Sequence, residues 1–139
     1  MPVGWDDLEV GTEGPTLEDG PLTITDFVRY QGASGDMNPI HHDAEFAAQS
    51  GYPTPFAVGM RQAGILANVA TAWLGAANLR RFKVQFREQA WPGDVLTYVG
   101  AVSAKREEAG EHLVDLELSV TRQTGGVHLK SWATFSLPR

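Results

Sequence analysis

The densest run of chemically capable side chains lies at residues 34–43 and reads Ser-Gly-Asp-Met-Asn-Pro-Ile-His-His-Asp. An aspartate, with a reference pKa of about 3.9, is an ionised residue type at neutral pH, and a histidine, with a reference of about 6.5, is the type poised to exchange a proton, which makes Asp36 and His41 the candidate pair. Held against one water, such a pair meets the requirement of general acid and base chemistry. On a helix, the five-residue spacing would set the two side chains about 140° apart. Pro39 removes a backbone donor and drives Asn38 towards an extended conformation, so the spacing predicts a loop that turns both groups to one small volume. Asp36 and Asn38 are equally ordinary loop formers, and Asp43 an ordinary helix cap, so spacing alone leaves a structural reading open. His41, His42 and Asp43 adjoin, but no second ligand cluster at a recognisable spacing accompanies them, and no metal site is expected.

The neighbouring elements must position this loop. Leu22 and Ile24 precede Thr25 and Asp26, either of which can cap a short helix through Phe27, Val28 and Tyr30 that ends among Gly32, Ser34, Gly35 and Pro39. A second short helix is expected over residues 43–49, capped by Asp43 with Phe46 facing inward, and stopped by Gly51, Pro53 and Pro55. Residues 62–79 contain no Asp, Glu, Lys or Arg. At 18 residues this run approaches a membrane span, but Gln62, Asn68, Thr71, Asn78 and many Ala and Gly residues make it too polar and too small-chained. The spacing of Met60, Ala63, Gly64, Ala67, Ala70 and Leu74 predicts instead a helix buried on most sides, with small residues that let a sheet approach closely. Phe82, Val84 and Phe86 then alternate with Lys83, Gln85 and Arg87. Residues 95–103, 113–122 and 127–137 are also strand-like, with turns at Pro92-Gly93-Asp94, residues 107–111 and Thr124-Gly125-Gly126. The fold class expected is α+β: a long helix against a four-strand antiparallel meander, in a single domain over residues 1–139.

Residues 34–41 followed by Asp43 resemble the signature of MaoC-type, (R)-specific enoyl-CoA hydratases. The resemblance extends to residues 55–60, Pro-Phe-Ala-Val-Gly-Met, which are similar to the family segment that opens its central helix, and to Phe86 with Pro92-Gly93-Asp94, which resemble the strand and turn after it. The family has the hotdog fold, an antiparallel sheet wrapped around a long helix, and the resemblance covers the chain from about Leu22 to its end. It implies that Asp36 and His41 hold a water that adds to C3 of a trans-2-enoyl thioester while a proton goes to C2, or the reverse dehydration of a (R)-3-hydroxyacyl thioester. It also implies that the Gly59 N–H holds the thioester oxygen, where a helix N-terminus supplies free donors and a favourable dipole, with Asn38 and Met60 beside the substrate. The family commonly has His before the Gly-Met pair, where this chain has Val58, and some members have Ser where this chain has Ala67.

The substrate so implied, an acyl-CoA or acyl carrier protein thioester, is anionic, and no metal or redox cofactor is expected. Arg80, Arg81, Lys83 and Arg87 place four of the eleven basic residues within eight positions. Arg81 and Arg87 are the candidate contacts to CoA phosphates or an acidic carrier, against the plainer reading of a solvated strand face. Hotdog proteins commonly cover their edge strands by dimerising, so a homodimer, or a heterodimer with another hotdog subunit, is expected.

Composition sets the outer limits. The chain has 139 residues, 42% hydrophobic and 20% charged, with a formal net charge of -6 and no cysteine. It is long enough to bury a core without disulfides or structural metal, and thiol nucleophiles, thiolate metal sites and disulfide frameworks are excluded. Its acidity argues against a broad nucleic-acid or anionic-membrane surface. The first ten residues carry Asp6, Asp7 and Glu9 and no base, unlike a secretory leader, so the expected location is cytoplasmic. His112 and His128, beside turns, are expected at the surface, and the four tryptophans in the core or an interface. Two alternatives stand beside the hydratase. One is a non-catalytic or half-active hotdog subunit or acyl-thioester-binding module. The other, a hotdog thioesterase, would need a carboxylate on the central helix, and residues 62–79 have none.

Overall fold

A computed structural model describes residues 2–139. The first helix, α1 (Ile24–Ser34), begins two or three residues earlier than Thr25 or Asp26 would cap it. Thr23 is the cap, because it forms a reciprocal box with Asp26: the Asp26 N–H donates to Thr23 Oγ1 (3.2 Å) and the Thr23 N–H to Asp26 Oδ2 (2.8 Å). Gly32 lies inside α1, which stops at Gly35, whose φ of 80° is the left-handed conformation that glycine accommodates most readily. Helix α2 (Ala44–Gln49) is capped by Asp43 as its position predicts, but Phe46 is exposed and Ala47 is the residue that turns inward.

The long helix α3 (Gly59–Leu74) starts at the expected glycine and runs about 24 Å. Its buried face is Gln62, Ala63, Leu66, Ala70 and Leu74. Met60, Gly64, Asn68 and Ala72 are exposed, so the small-residue stripe is split between two faces. The sheet therefore covers one side of α3, and the helix is not enclosed on most sides as its uncharged sequence predicts.

Five antiparallel strands make that sheet: β1 (Leu17–Asp19), β2 (Leu79–Phe86), β3 (Leu96–Glu108), β4 (Glu111–Arg122) and β5 (Val127–Ser136), in the order β1-β3-β4-β5-β2. Only β3, β4 and β5 form a meander. The four-strand version fails because β2 pairs with β5, Phe82 opposite Ala133 and Phe86 opposite Leu129. The segment 87–95 is too long for a hairpin and carries the chain across to β3, tied on the way to the entry of α3 by the Ala57 N–H on the Ala90 carbonyl (2.8 Å). Alternation holds from Val114 to Val120 in β4 and from Leu129 to Phe135 in β5, where Val114, Leu116, Leu118, Val120, Leu129, Ala133 and Phe135 point inward. These pack with Leu66, Ala70 and Leu74 of α3, and with Leu8 and Leu137, in one apolar core. Among the described residues no helix is long and apolar enough to cross a membrane.

Candidate active site

The loop after α1 is built by its own side chains. The Asp36 N–H donates to Ser34 Oγ (3.2 Å), the Asn38 N–H to Asp36 Oδ1 (3.3 Å) and the Ile40 N–H to Asn38 Oδ1 (3.1 Å). These local bonds fold residues 36–38 back and launch a single 3-10 turn, Pro39–His41, that carries the imidazole inward. Gln31, fully buried on α1, fastens the loop from beneath: its amide donates to the Asn38 carbonyl (2.8 Å), and its Oε1 accepts from His42 Nδ1 (2.9 Å). The three adjacent residues His41, His42 and Asp43 thus serve three different partners, with Asp43 holding the Glu45 and Phe46 N–H groups of α2.

His41 is 9% exposed, and its Nδ1 lies 2.8 Å from the Phe56 carbonyl oxygen. A carbonyl can only accept, so Nδ1 carries the proton, and in the neutral ring the lone pair sits on Nε2. The Phe56 ring meets the imidazole edge-on at 5.2 Å and is itself packed by Tyr52 and Trp91. Two residues on, Val58 is the N-terminal flank of α3 and supplies no side-chain cap. Its side chain is 3% exposed and apolar, so no polar group stands at the position where the resemblance has His.

Asp36, His41, Gly59 and Met60 all line one cleft of about 290 Å³, together with Phe56, Val58, Phe86, Arg87, Glu88 and His128. Phe86 lies directly over Gly59: a Cβ on the glycine would come within 2.6 Å of its ring. Asn38 shapes the loop and does not line the cleft. Arg81 and Arg87 part company. Arg87 follows the end of β2 and lines the cleft, whereas Arg81 opens onto a separate depression on the solvent face of the sheet with Lys83, Arg106 and Trp132. A further depression on the sheet, of about 350 Å³, is lined by Glu13, Glu117 and Lys130 and has no imidazole to pair with its acids.

His128 corrects the sequence reading most sharply, since it is 3% exposed. Val120 pairs with Leu129 but Thr121 with Val127, so His128 is the extra residue of a β-bulge, and both it and Leu129 turn inward. His112 is half-buried against Trp5. No local signal in the sequence marks the bulge.

A sheet packed against one long helix, with these residues at the helix's N-terminal end, defines the hotdog class of α+β protein. The family described as "MaoC like domain" matches residues 9–124, and the chain belongs to that family. It is 37% identical over 89 residues to 3-hydroxyacyl-thioester dehydratase Y of Mycobacterium tuberculosis, covering 61% of this chain and 28% of that protein. Among solved structures it is similar to the (R)-hydratase from A. caviae involved in PHA biosynthesis, with a TM-score of 0.81, 26% identity and coverage of 94% and 98% of the two chains. It is also similar to a chain of the ChsH1-ChsH2 complex from Mycobacterium tuberculosis, with a TM-score of 0.80, 21% identity and coverage of 93% and 98%. The chain spans less than a third of the length of the curated relatives it matches.

Proposed function

We propose that this chain adds water to trans-2-enoyl thioesters to give (R)-3-hydroxyacyl thioesters, or runs the reverse dehydration, as a hydro-lyase. The observation that carries the reading is the convergence of Asp36, His41 and the first N–H of α3 on one cleft. Asp36 and His41 Nε2 hold one water. As the water oxygen bonds to C3, His41 takes its proton, and the C2–C3 π pair moves onto the thioester, whose oxygen accepts from the Gly59 N–H. The proton then passes to C2, so that one water is consumed and His41 is restored. Atoms and electrons balance between water and the enoyl group, and the scheme calls on no metal or redox cofactor. The substrate would arrive on CoA or an acyl carrier protein, with Arg87 at the cleft as the candidate phosphate contact.

A partner-dependent version is favoured by the cleft's open side, where Met60 and Phe86 are 59% and 52% exposed, and by β2, which among the described residues pairs only along β5. A second copy, or a different hotdog subunit, would cover both. The test is the purified chain with short and medium trans-2-enoyl-CoA, following loss of the conjugated double bond and the configuration at C3. Activity that falls by about 10²–10⁴ in Asp36→Asn and in His41→Ala supports the reading. Turnover untouched by both substitutions removes the site, an (S) product removes the stereochemistry, and a lone chain that gains activity only with a hotdog partner removes the homodimer.

A further inference from the structure

The cleft has a second buried imidazole that the scheme above does not use. His128 Nδ1 lies 2.6 Å from the Glu88 carbonyl oxygen, and Nε2 lies 3.1 Å from Gln62 Nε2 on the first turn of α3. The direction of these bonds is fixed from outside. Arg61 can only donate, and its Nη1 reaches Gln62 Oε1 (3.1 Å), so the Gln62 amide presents its NH2 group to His128. His128 Nε2 must then accept, and Nδ1 must donate to Glu88. Arg61 is itself held by Asp19 across two contacts (2.8 and 3.3 Å), and Asp19 also accepts from Tyr98 (3.1 Å).

We propose that His128 is a positioning residue, locked as its Nδ1–H tautomer in a one-way hydrogen-bond chain from Arg61 through Gln62 to Glu88, that clamps the first turn of α3 to the opposite wall of the cleft. The inference rests on the hydratase reading for its effect on rate, but the clamp itself does not. Three observations converge on it. The bulge at His128 is what turns the ring inward, and bulges beside active sites commonly re-aim one side chain. The same residue's carbonyl accepts the Arg87 N–H (2.9 Å), so His128 grips residues 87 and 88 by both backbone and ring. Gln62 lies one turn from Gly59, whose N–H is the proposed oxyanion donor. Burial also keeps the imidazole's pKa below its ordinary value, against the Glu88 carbonyl bond and the Asp94 charge and with the help of Arg122, which agrees with a ring whose Nε2 stays bare.

Long-range proton–nitrogen NMR of the ¹⁵N-labelled chain at neutral pH reads the tautomer directly, with His128→Asn assigning the signal. A proton on Nδ1 and a bare Nε2 are expected, and a proton on Nε2 overturns the clamp. Gln62→Glu replaces the donor by an acceptor, so His128 should then hold two protons at neutral pH, and an unchanged ring refutes the chain. In the hydration assay, His128→Leu is expected to lower kcat between about tenfold and 100-fold with KM within about threefold, because the oxyanion donor is misplaced and substrate binding is not. His128→Asn, which restores an N–H for Glu88, should recover part of that loss. Wild-type kcat in His128→Leu overturns the positioning role. A wild-type chain inert on every enoyl thioester overturns the proposed reaction instead, while the two NMR results still decide the clamp.

Discussion

His41 Nδ1 stands 2.8 Å from the Phe56 carbonyl oxygen, and that contact determines which nitrogen is basic. It also hangs the proposed base and the proposed oxyanion donor from one short stretch, since Phe56 is three residues before Gly59. The stretch is in turn fixed by the Ala57 N–H on Ala90 (2.8 Å) and by the packing of Phe56 on Trp91. His41→Asn separates structure from chemistry, because its amide still has an N–H for Phe56 but offers no base at the Nε2 position. Thermal melting should stay within a few degrees of wild type while kcat falls by about 10²–10⁴. A variant that unfolds early with turnover per folded molecule intact would show that His41 is only a strut.

Gly59→Ala tests the roof over the helix start. The added methyl would meet the Phe86 ring at 2.6 Å, and Phe86 is exposed enough to swing aside. Stability should therefore change by less than about 1 kcal/mol, whereas kcat drops about tenfold as the ring moves across the cleft. In a Phe86→Ala background the same substitution should cost much less, and the double-mutant cycle measures the difference. Equal losses in both backgrounds would mean that the ring is not the obstacle.

Much of this site is legible in the sequence because it is local. Asp36, Asn38, Pro39 and His41 make their turn with bonds that span two or three residues, and Gly59 sits at the change from a proline-rich stretch to a helical one. Residues that depend on long-range register are hidden. His128 looks like a strand-end surface residue until one extra residue in β5 turns it inward, and its partners Gln62 and Glu88 are 66 and 40 positions away. The place of β2 is hidden for the same reason, since alternation predicts a strand but not its neighbour. Phe46 reads as core by hydrophobicity, yet α2 has only six residues and buries Ala47.

Arg81 and Arg87, similar by sequence, should behave differently. Arg87 borders the cleft with its Nε on Gln85 Oε1 (2.9 Å), whereas Arg81 faces the other depression. For a CoA thioester, Arg87→Ala should raise KM severalfold with a weaker salt dependence, and Arg81→Ala should leave both at wild-type values. The reverse ranking would move the phosphate contact to the sheet's solvent face.

Asp94 should make acid stability depend on the turn that ends the crossover. Its side chain accepts from Arg122 Nε (2.7 Å), Gln123 Nε2 (2.7 Å) and the Trp91 N–H (2.8 Å), while the residue is 3% exposed. Burial works to raise its pKa, but those donors outweigh it and hold the carboxyl below the usual carboxylate range. A depressed folded pKa means the unfolded chain binds the proton more readily. The stabilisation is therefore complete above the unfolded value of about 3.9 and is lost as pH falls through the folded one. Asp94→Asn should cost about 2 kcal/mol at neutral pH, as loss of charged hydrogen bonds from a part-buried pair does, and should flatten the decline below about pH 4. Asp6→Asn, which breaks the exposed Arg139 contact at 3.3 Å, should cost under about 1 kcal/mol and serves as the control. Urea unfolding of the three proteins between about pH 3 and 7 decides the matter, and an Asp94→Asn curve that follows the control would show that Arg122 and Gln123 hold the turn without the charge.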